Sequence, residues 1–181
     1  MISFSMGDIM KHKYFGLIFL LTLLVLSTSS FNSEANKDKA TIQEMEIKGI
    51  AFDQNVRTPV VLLTDKDQNS ILPIWIGLCE ARSIELGLSE MVAPRPLTYD
   101  LIAAIIRTMN AKVERIVIVD LRDEIFYAQV EVSVNGKVSK IDARPSDAIA
   151  LASRMNSPIY VNKTVLEKAA LLDSDKQKRG L

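Results

Sequence analysis

From Val138 to Ala143 the chain alternates, with Val138, Lys140 and Asp142 on one side of a pleat and Ser139, Ile141 and Ala143 on the other, which predicts a strand. From Ala148 the apolar residues fall at 148, 151, 152 and 155, one face of a helix. Arg144-Pro145-Ser146-Asp147 occupies the switch. Pro145 cannot extend a ladder but tolerates a helix start. Ser146 is placed to cap the free N–H groups, and Asp147 suits the positive end of the helix dipole. Ile74 to Ala81 has the same shape, and Glu80-Ala81 matches Asp147-Ala148 at an offset of 67. The offset holds without gaps: Ile50 and Phe52 fall on Val117 and Val119, Asn69-Ser70 on Gly136-Lys137, and Ile84 on Leu151. A fixed period of this kind predicts a duplicated strand–strand–strand–helix unit forming one compact α+β domain.

The remaining elements follow from the same patterns. In the first unit, Met45 to Phe52 is a strand with a bulge expected at Gly49. Thr58 to Thr64 is a strand whose Pro59 marks an edge or a strand start. Asp65 to Ser70 is a polar turn and Leu72 to Ile76 an apolar strand. A helix then carries Ala81, Ile84, Leu88 and Met91 on one face and ends before Pro94-Arg95-Pro96. A second helix runs from Thr98, its expected cap, to about Asn110. Leu101, Ile102, Ile105, Ile106 and Met109 form its broad apolar stripe, expected to face the core.

In the second unit, Val113 to Leu121 is a β-branched strand and Arg122-Asp123-Glu124 its turn. Phe126, Ala128, Val130, Val132 and Val134 alternate as in a half-buried strand. Asn135-Gly136 is a hairpin signal. Pro158 to Val161 is a short extra strand and Thr164 to Leu172 a last helix. Residues 173–181 read as a polar tail.

The chain is long enough to bury a core, with 48% hydrophobic residues among 181. The formal net charge of zero argues against coating nucleic acid or an anionic membrane by bulk electrostatics. One cysteine, Cys79, excludes an internal disulfide and is expected to be a small buried hydrophobe. Residues 1–30 read as a signal peptide: Lys11 and Lys13 precede the apolar run Tyr14 to Leu26, and small residues follow. This predicts an exported protein, periplasmic or secreted, with an uncleaved N-terminal anchor as the alternative. No cysteine adjoins the apolar run, so no lipid anchor is expected. Residues 31–43 read as a spacer and 44–172 as the folded domain.

Asp120-Leu121-Arg122-Asp123, Phe126-Tyr127-Ala128, the Ile141 to Ala152 run and Pro158-Ile159-Tyr160-Val161 resemble the bifunctional nuclease (BFN) domain family. Leu72 to Gly77 with Glu80-Ala81, and Arg95-Pro96-Leu97-Thr98, fit the same family. The resemblance covers roughly residues 45–172. It implies a duplicated α+β domain that forms a homo-oligomer and cleaves DNA and RNA. In one respect the chain departs from the family, whose pattern places His where Tyr99 stands here.

The residues present limit the chemistry. His12, inside the expected signal, is the only histidine. The folded part therefore has no Ser–His or Cys–His pair, no histidine base and no His-based zinc site. No Gly-rich phosphate loop is present. Carboxylates and arginines remain, and they support phosphodiester hydrolysis when Mg²⁺ or Mn²⁺ supplies the Lewis acid. The candidate metal ligands are Asp142, Asp120 and Asp123. Asp142, Asp147, Asp120 and Tyr99 are candidate catalytic groups, and Arg144, Arg122 and Lys140 candidate phosphate holders.

Each candidate has a plainer reading. Asp147 is also a helix-terminus acid. Arg144 is also an ion-pair partner of Asp147 or Asp120, and Arg122-Asp123-Glu124 a solvated turn. With Ile141 and Ala143 facing the core, Asp142 faces out beside Lys140 and Arg144, next to a helix N-terminus suited to anions. Tyr99 donates a hydrogen bond but does not replace an imidazole at neutral pH. A nuclease is thus one reading. A non-catalytic binding or oligomerisation module on the same fold is the other, favoured by neutral charge and by the lack of aromatic–basic interleaving for single strands.

Overall fold

The alternating stretches become seven strands of one mixed sheet, in the order β3-β2-β1-β7-β4-β5-β6. The computed structural model describes residues 41–89 and 93–179. The expected signal, residues 31–40 of the spacer and Met91 lie outside the described residues. The strands are β1 (Ile42–Asp53), β2 (Thr58–Thr64), β3 (Ile71–Trp75), β4 (Ala111–Arg122), β5 (Ile125–Val134), β6 (Lys137–Ala143) and β7 (Ile159–Asn162). The helices are α1 (Leu78–Leu88), α2 (Thr98–Thr108), α3 (Pro145–Met155) and α4 (Lys163–Arg179). The fold is α+β, as expected. Among the described residues no helix is long and apolar enough to cross a membrane.

Two antiparallel meanders, β1-β2-β3 and β4-β5-β6, each run into a helix, α1 and α3. The four-residue β7 joins them, antiparallel to β1 and parallel to β4. Local chemistry sets the connections. Gly49 marks the expected bulge, where the β1–β2 register shifts. Asn135 and Gly136, both at positive φ, close a two-residue hairpin. Asp123 (φ 49°) and Glu124 (φ 63°) do the same between β4 and β5, and Glu124 adopts a backbone that L residues disfavour. Pro59 is a strand start rather than an edge marker, because β2 has a neighbour on each side.

The core holds Met45, Val61, Leu63, Leu72, Ile84, Ile116, Ile118 and Val161 in one cluster with Ala148, Ile149 and Leu151 of α3. This helix is buried nearly all round, Ile149 and Ala150 included, not only along the predicted face. It packs on β4 and β5 while α1 and α2 pack against it. Small residues permit the close approach: a side chain at Gly87 of α1 would strike Ser153 and Arg154 of α3.

Several expectations are corrected. The stripe of α2 does not face the core: Leu101, Ile102, Ile105 and Met109 are exposed, and Ala103 with half-buried Tyr99 and Ile106 makes the inner face. Leu97, not Thr98, caps α2, its N–H donating to Asp100 Oδ2 at 2.9 Å. Arg144, not Ser146, is the N-cap of α3, and Ser146 is buried one turn in. Cys79 is exposed, because the inner face of α1 runs through Ala81 and Ile84. Ile141 is exposed on edge strand β6, which the helices leave uncovered. The first strand starts at Ile42, ahead of Met45, and α4 continues beyond Leu172 to Arg179.

Candidate active site

Because β3 and β6 each end in a junction with no intervening loop, the N-termini of α1 and α3 come together. Arg144 reaches across the gap. Its Nη2 donates to Glu80 Oε1 of α1 at 3.0 Å, while Nε and Nη2 donate to Asp147 Oδ2 and Oδ1 at 2.7 and 2.9 Å. Tyr99 Oη, from the first turn of α2, donates to Asp147 Oδ1 at 2.5 Å. Three helices therefore tie one guanidinium in place. The Arg144 side chain remains 66% exposed, and its Nη1 takes no part in these bonds.

Arg144 forms part of the wall of a cavity of about 500 Å³. Ile74, Trp75, Ile76 and Gly77 bound it on the β3 side, Glu124, Ile125 and Phe126 at the β4–β5 turn, and Pro145 and Ser146 at the start of α3. The lining is mostly apolar, with the arginine and one carboxylate as its charged members. Both helix N-termini adjoin it, and each contributes a positive dipole end.

The electrostatics divide the labour. Burial works to raise the Asp147 carboxyl, but hydrogen bonds from Arg144 and Tyr99 and the Arg144 charge outweigh it, holding the group below the usual carboxylate range. Burial, then the bond to Asp147 and its charge, push the Tyr99 phenol well above its ordinary value. Tyr99 therefore acts at neutral pH as a hydrogen-bond donor only, and Asp147 is an anion enclosed by donors.

A carboxyl that is more acidic folded than unfolded contributes stability above its unfolded pKa, about 3.9. That contribution is lost as pH falls through the lower folded value. Melting temperature is accordingly expected to fall below about pH 4, and Asp147→Asn to make that fall shallower. An unchanged acid slope in the variant would show that the network contributes nothing.

The other predicted residues lie elsewhere. Asp120 Oδ1 accepts from Lys168 of α4 at 2.8 Å, and its Oδ2 pairs with Arg122 Nε at 2.9 Å. These contacts, Lys168 foremost, hold its carboxyl low. Arg122 also stacks on Tyr127, 4.1 Å from the ring centre. Asp123 is in the β4–β5 turn. Lys140 pairs at 3.5 Å with the buried Glu131, which also holds Arg115. Asp142 faces Gln129 across the β5–β6 ladder and is exposed. Among the described residues no three His, Cys, Asp or Glu side chains gather to hold a metal ion. As placed, Asp142, Asp120 and Asp123 do not fit one shared ion.

Reading the residues singly missed Glu80 and Trp75 as members of the site. The signal for Glu80 was present, since the 67-residue offset pairs it with Asp147.

Comparison with known proteins places all four members of the network inside one matched segment. Residues 61–174 match the Bifunctional nuclease domain. An uncharacterized protein of Mycobacterium tuberculosis is 42% identical over 132 residues, 73% of this chain and 79% of that protein. Bifunctional nuclease 1 of Arabidopsis thaliana is 28% identical over 107 residues, 58% of this chain and 33% of the plant protein. Bifunctional nuclease 1 of Oryza sativa subsp. japonica is 25% identical over 109 residues, 59% and 33% respectively.

Proposed function

Since this chain belongs to the bifunctional nuclease domain family, we propose that it hydrolyses phosphodiester bonds of DNA and RNA in the cavity walled by Arg144. One observation carries the reading: an exposed guanidinium is held over a groove by carboxylates from two helices and by the Tyr99 hydroxyl behind one of them. A clamp held in advance meets the developing phosphate charge without reorganising. Arg144 takes the phosphate, and the two helix N-termini add positive potential. Asp147 and Tyr99 fix the fork. Glu80, brought to Arg144 by the fold, takes a proton from the attacking water.

Asp142 remains a proposed catalytic group on sequence grounds, and Asp142, Asp120 and Asp123 remain proposed ligands for Mg²⁺ or Mn²⁺. No step is assigned to a metal, since their placement does not converge. Export is proposed from the apolar run after Lys13. Self-association is proposed from the exposed Leu101, Ile105 and Met109 of α2. The same face supports the second reading, a non-catalytic assembly module.

The test is cleavage of single-stranded DNA, duplex DNA and RNA by the full-length chain with Mg²⁺, with Mn²⁺ and with EDTA. Glu80→Gln, Asp142→Ala and Tyr99→Phe are purified identically, and the oligomeric state is read by light scattering. Glu80→Gln is expected to lose about 100-fold, within the usual range for an acid–base group. Tyr99→Phe is expected to lose less, because Arg144 keeps its two carboxylates. Loss in Asp142→Ala alone would move the proton acceptor to β6. Equal cutting by every variant would mark a contaminant, and no cutting by the parent chain would leave the assembly module.

A further inference from the structure

We propose, building on the nuclease reading, that the groove takes an unpaired nucleotide with its base stacked on Trp75 and its phosphate on Arg144, so that single-stranded nucleic acid is preferred to duplex. Trp75 is the only tryptophan of the chain and stands at the end of edge strand β3. It is 45% exposed. Its Nε1 donates to Asp53 Oδ2 at 3.0 Å, which fixes the plane of the indole before anything binds. Little side-chain freedom is then lost on binding. Trp75 and Arg144 wall the same cavity, and its volume of about 500 Å³ suits a small ligand.

An indole and a guanidinium in the wall of one groove, whose other charged member is Glu124, match a base and its phosphate. Stacking is tolerant of sequence because every base has a π face, so DNA and RNA are served alike. In a duplex the base faces are covered by their neighbours and the edges are paired, and exposing one requires unstacking. With a formal net charge of zero, the chain has no general attraction for phosphates to offset that cost. Along the sequence Trp75 and Arg144 are far apart, so no interleaved aromatic–basic pattern announces the site.

The experiment titrates the full-length chain with oligothymidine and with a DNA hairpin, in EDTA and again with Ca²⁺. The emission of Trp75 is followed directly. Saturable quenching by the single strand is expected, with affinity at least about tenfold above that for the hairpin. Trp75→Ala is then followed by anisotropy of a labelled strand. It is expected to weaken single-strand binding about tenfold and leave hairpin binding nearly unchanged, while Trp75→Phe restores most of the loss. Circular dichroism confirms that the variants fold. Equal affinity for strand and hairpin, or an unchanged single-strand affinity in Trp75→Ala, would overturn the proposal. Cleavage without single-strand preference defeats this inference alone; a parent chain that neither binds nor cuts defeats the nuclease reading with it.

Discussion

Arg144→Ala is expected to reduce phosphodiester cleavage by about 100-fold, the usual cost of deleting a donor organised around developing charge. The effect is large because Arg144 is the charged donor in the wall of the groove and because Glu80 and Asp147 have already set its position. Arg144→Lys keeps the charge and loses the planar fork, so it should recover only part of the rate. The two variants separate clamp from counter-ion. If the residue only neutralises Glu80 and Asp147, lysine should restore nearly everything, and the rate should follow melting temperature. If it holds phosphate, the rate should fall while the melting temperature moves little, since the side chain is mostly exposed and exposed ion pairs contribute little. Removing Arg144 also takes away a main influence that keeps Asp147 acidic, so the pH at which Asp147 titrates should rise in the alanine variant. A cleavage rate unchanged in Arg144→Ala would sink the proposed site.

Ile149→Ala is expected to destabilise the fold by about 3 kcal/mol, within the range for truncating a fully buried isoleucine. Ile149 is 0% exposed, on a helix packed against β4, β5, α1 and α2, so the space it leaves is closed on every side. Ile105→Ala, on the apolar stripe of α2, is expected to cost less than about 0.5 kcal/mol in the monomer, because Ile105 is 49% exposed. Urea melts of the two variants measure the contrast. Equal losses would mean that α2 is covered in solution, as self-association requires, and a small loss at Ile149 would contradict the burial of α3. Because α3 carries Asp147 on its first turn and Arg144 as its N-cap, Ile149→Ala should also bring the temperature limit of activity down with the melting point.

Local chemistry made most elements legible. The strict alternation of Phe126 to Val134, the Asn135-Gly136 turn, the bulge at Gly49 and the proline at the start of α3 are properties of a few neighbouring residues, and all are found where the pattern puts them. The strand-to-helix junction was legible for the same reason. Its membership in the site was legible in part: Arg144, Asp147 and Tyr99 were singled out. Their mutual bonds were not, since Tyr99 and Asp147 are 48 residues apart and Arg144 and Glu80 are 64 apart.

What periodicity could not tell was which apolar face another element would cover. The stripe of α2 has the stronger helical pattern, yet α3, rich in alanine, is the buried helix, because small side chains let β4, β5, α1 and α2 all approach it. Edge position decided the exposure of Ile141 and Trp75 in the same way, since an alternating pattern is identical at the edge and the centre of a sheet.

The amino-acid sequence by itself determined the α+β class, most element boundaries, the residue types available for chemistry and the resemblance to a nuclease family. The tertiary structure alone decided that the four residues of β7 form the seam of the sheet, that Glu80 and Arg144 meet across two helix N-termini, and that Trp75 shares a groove with Arg144. The physical reason is range. Backbone propensity and hydrophobic period act over a few residues, whereas a site built from two junctions and an edge strand exists only after the long loops between them have been closed by the burial of the core.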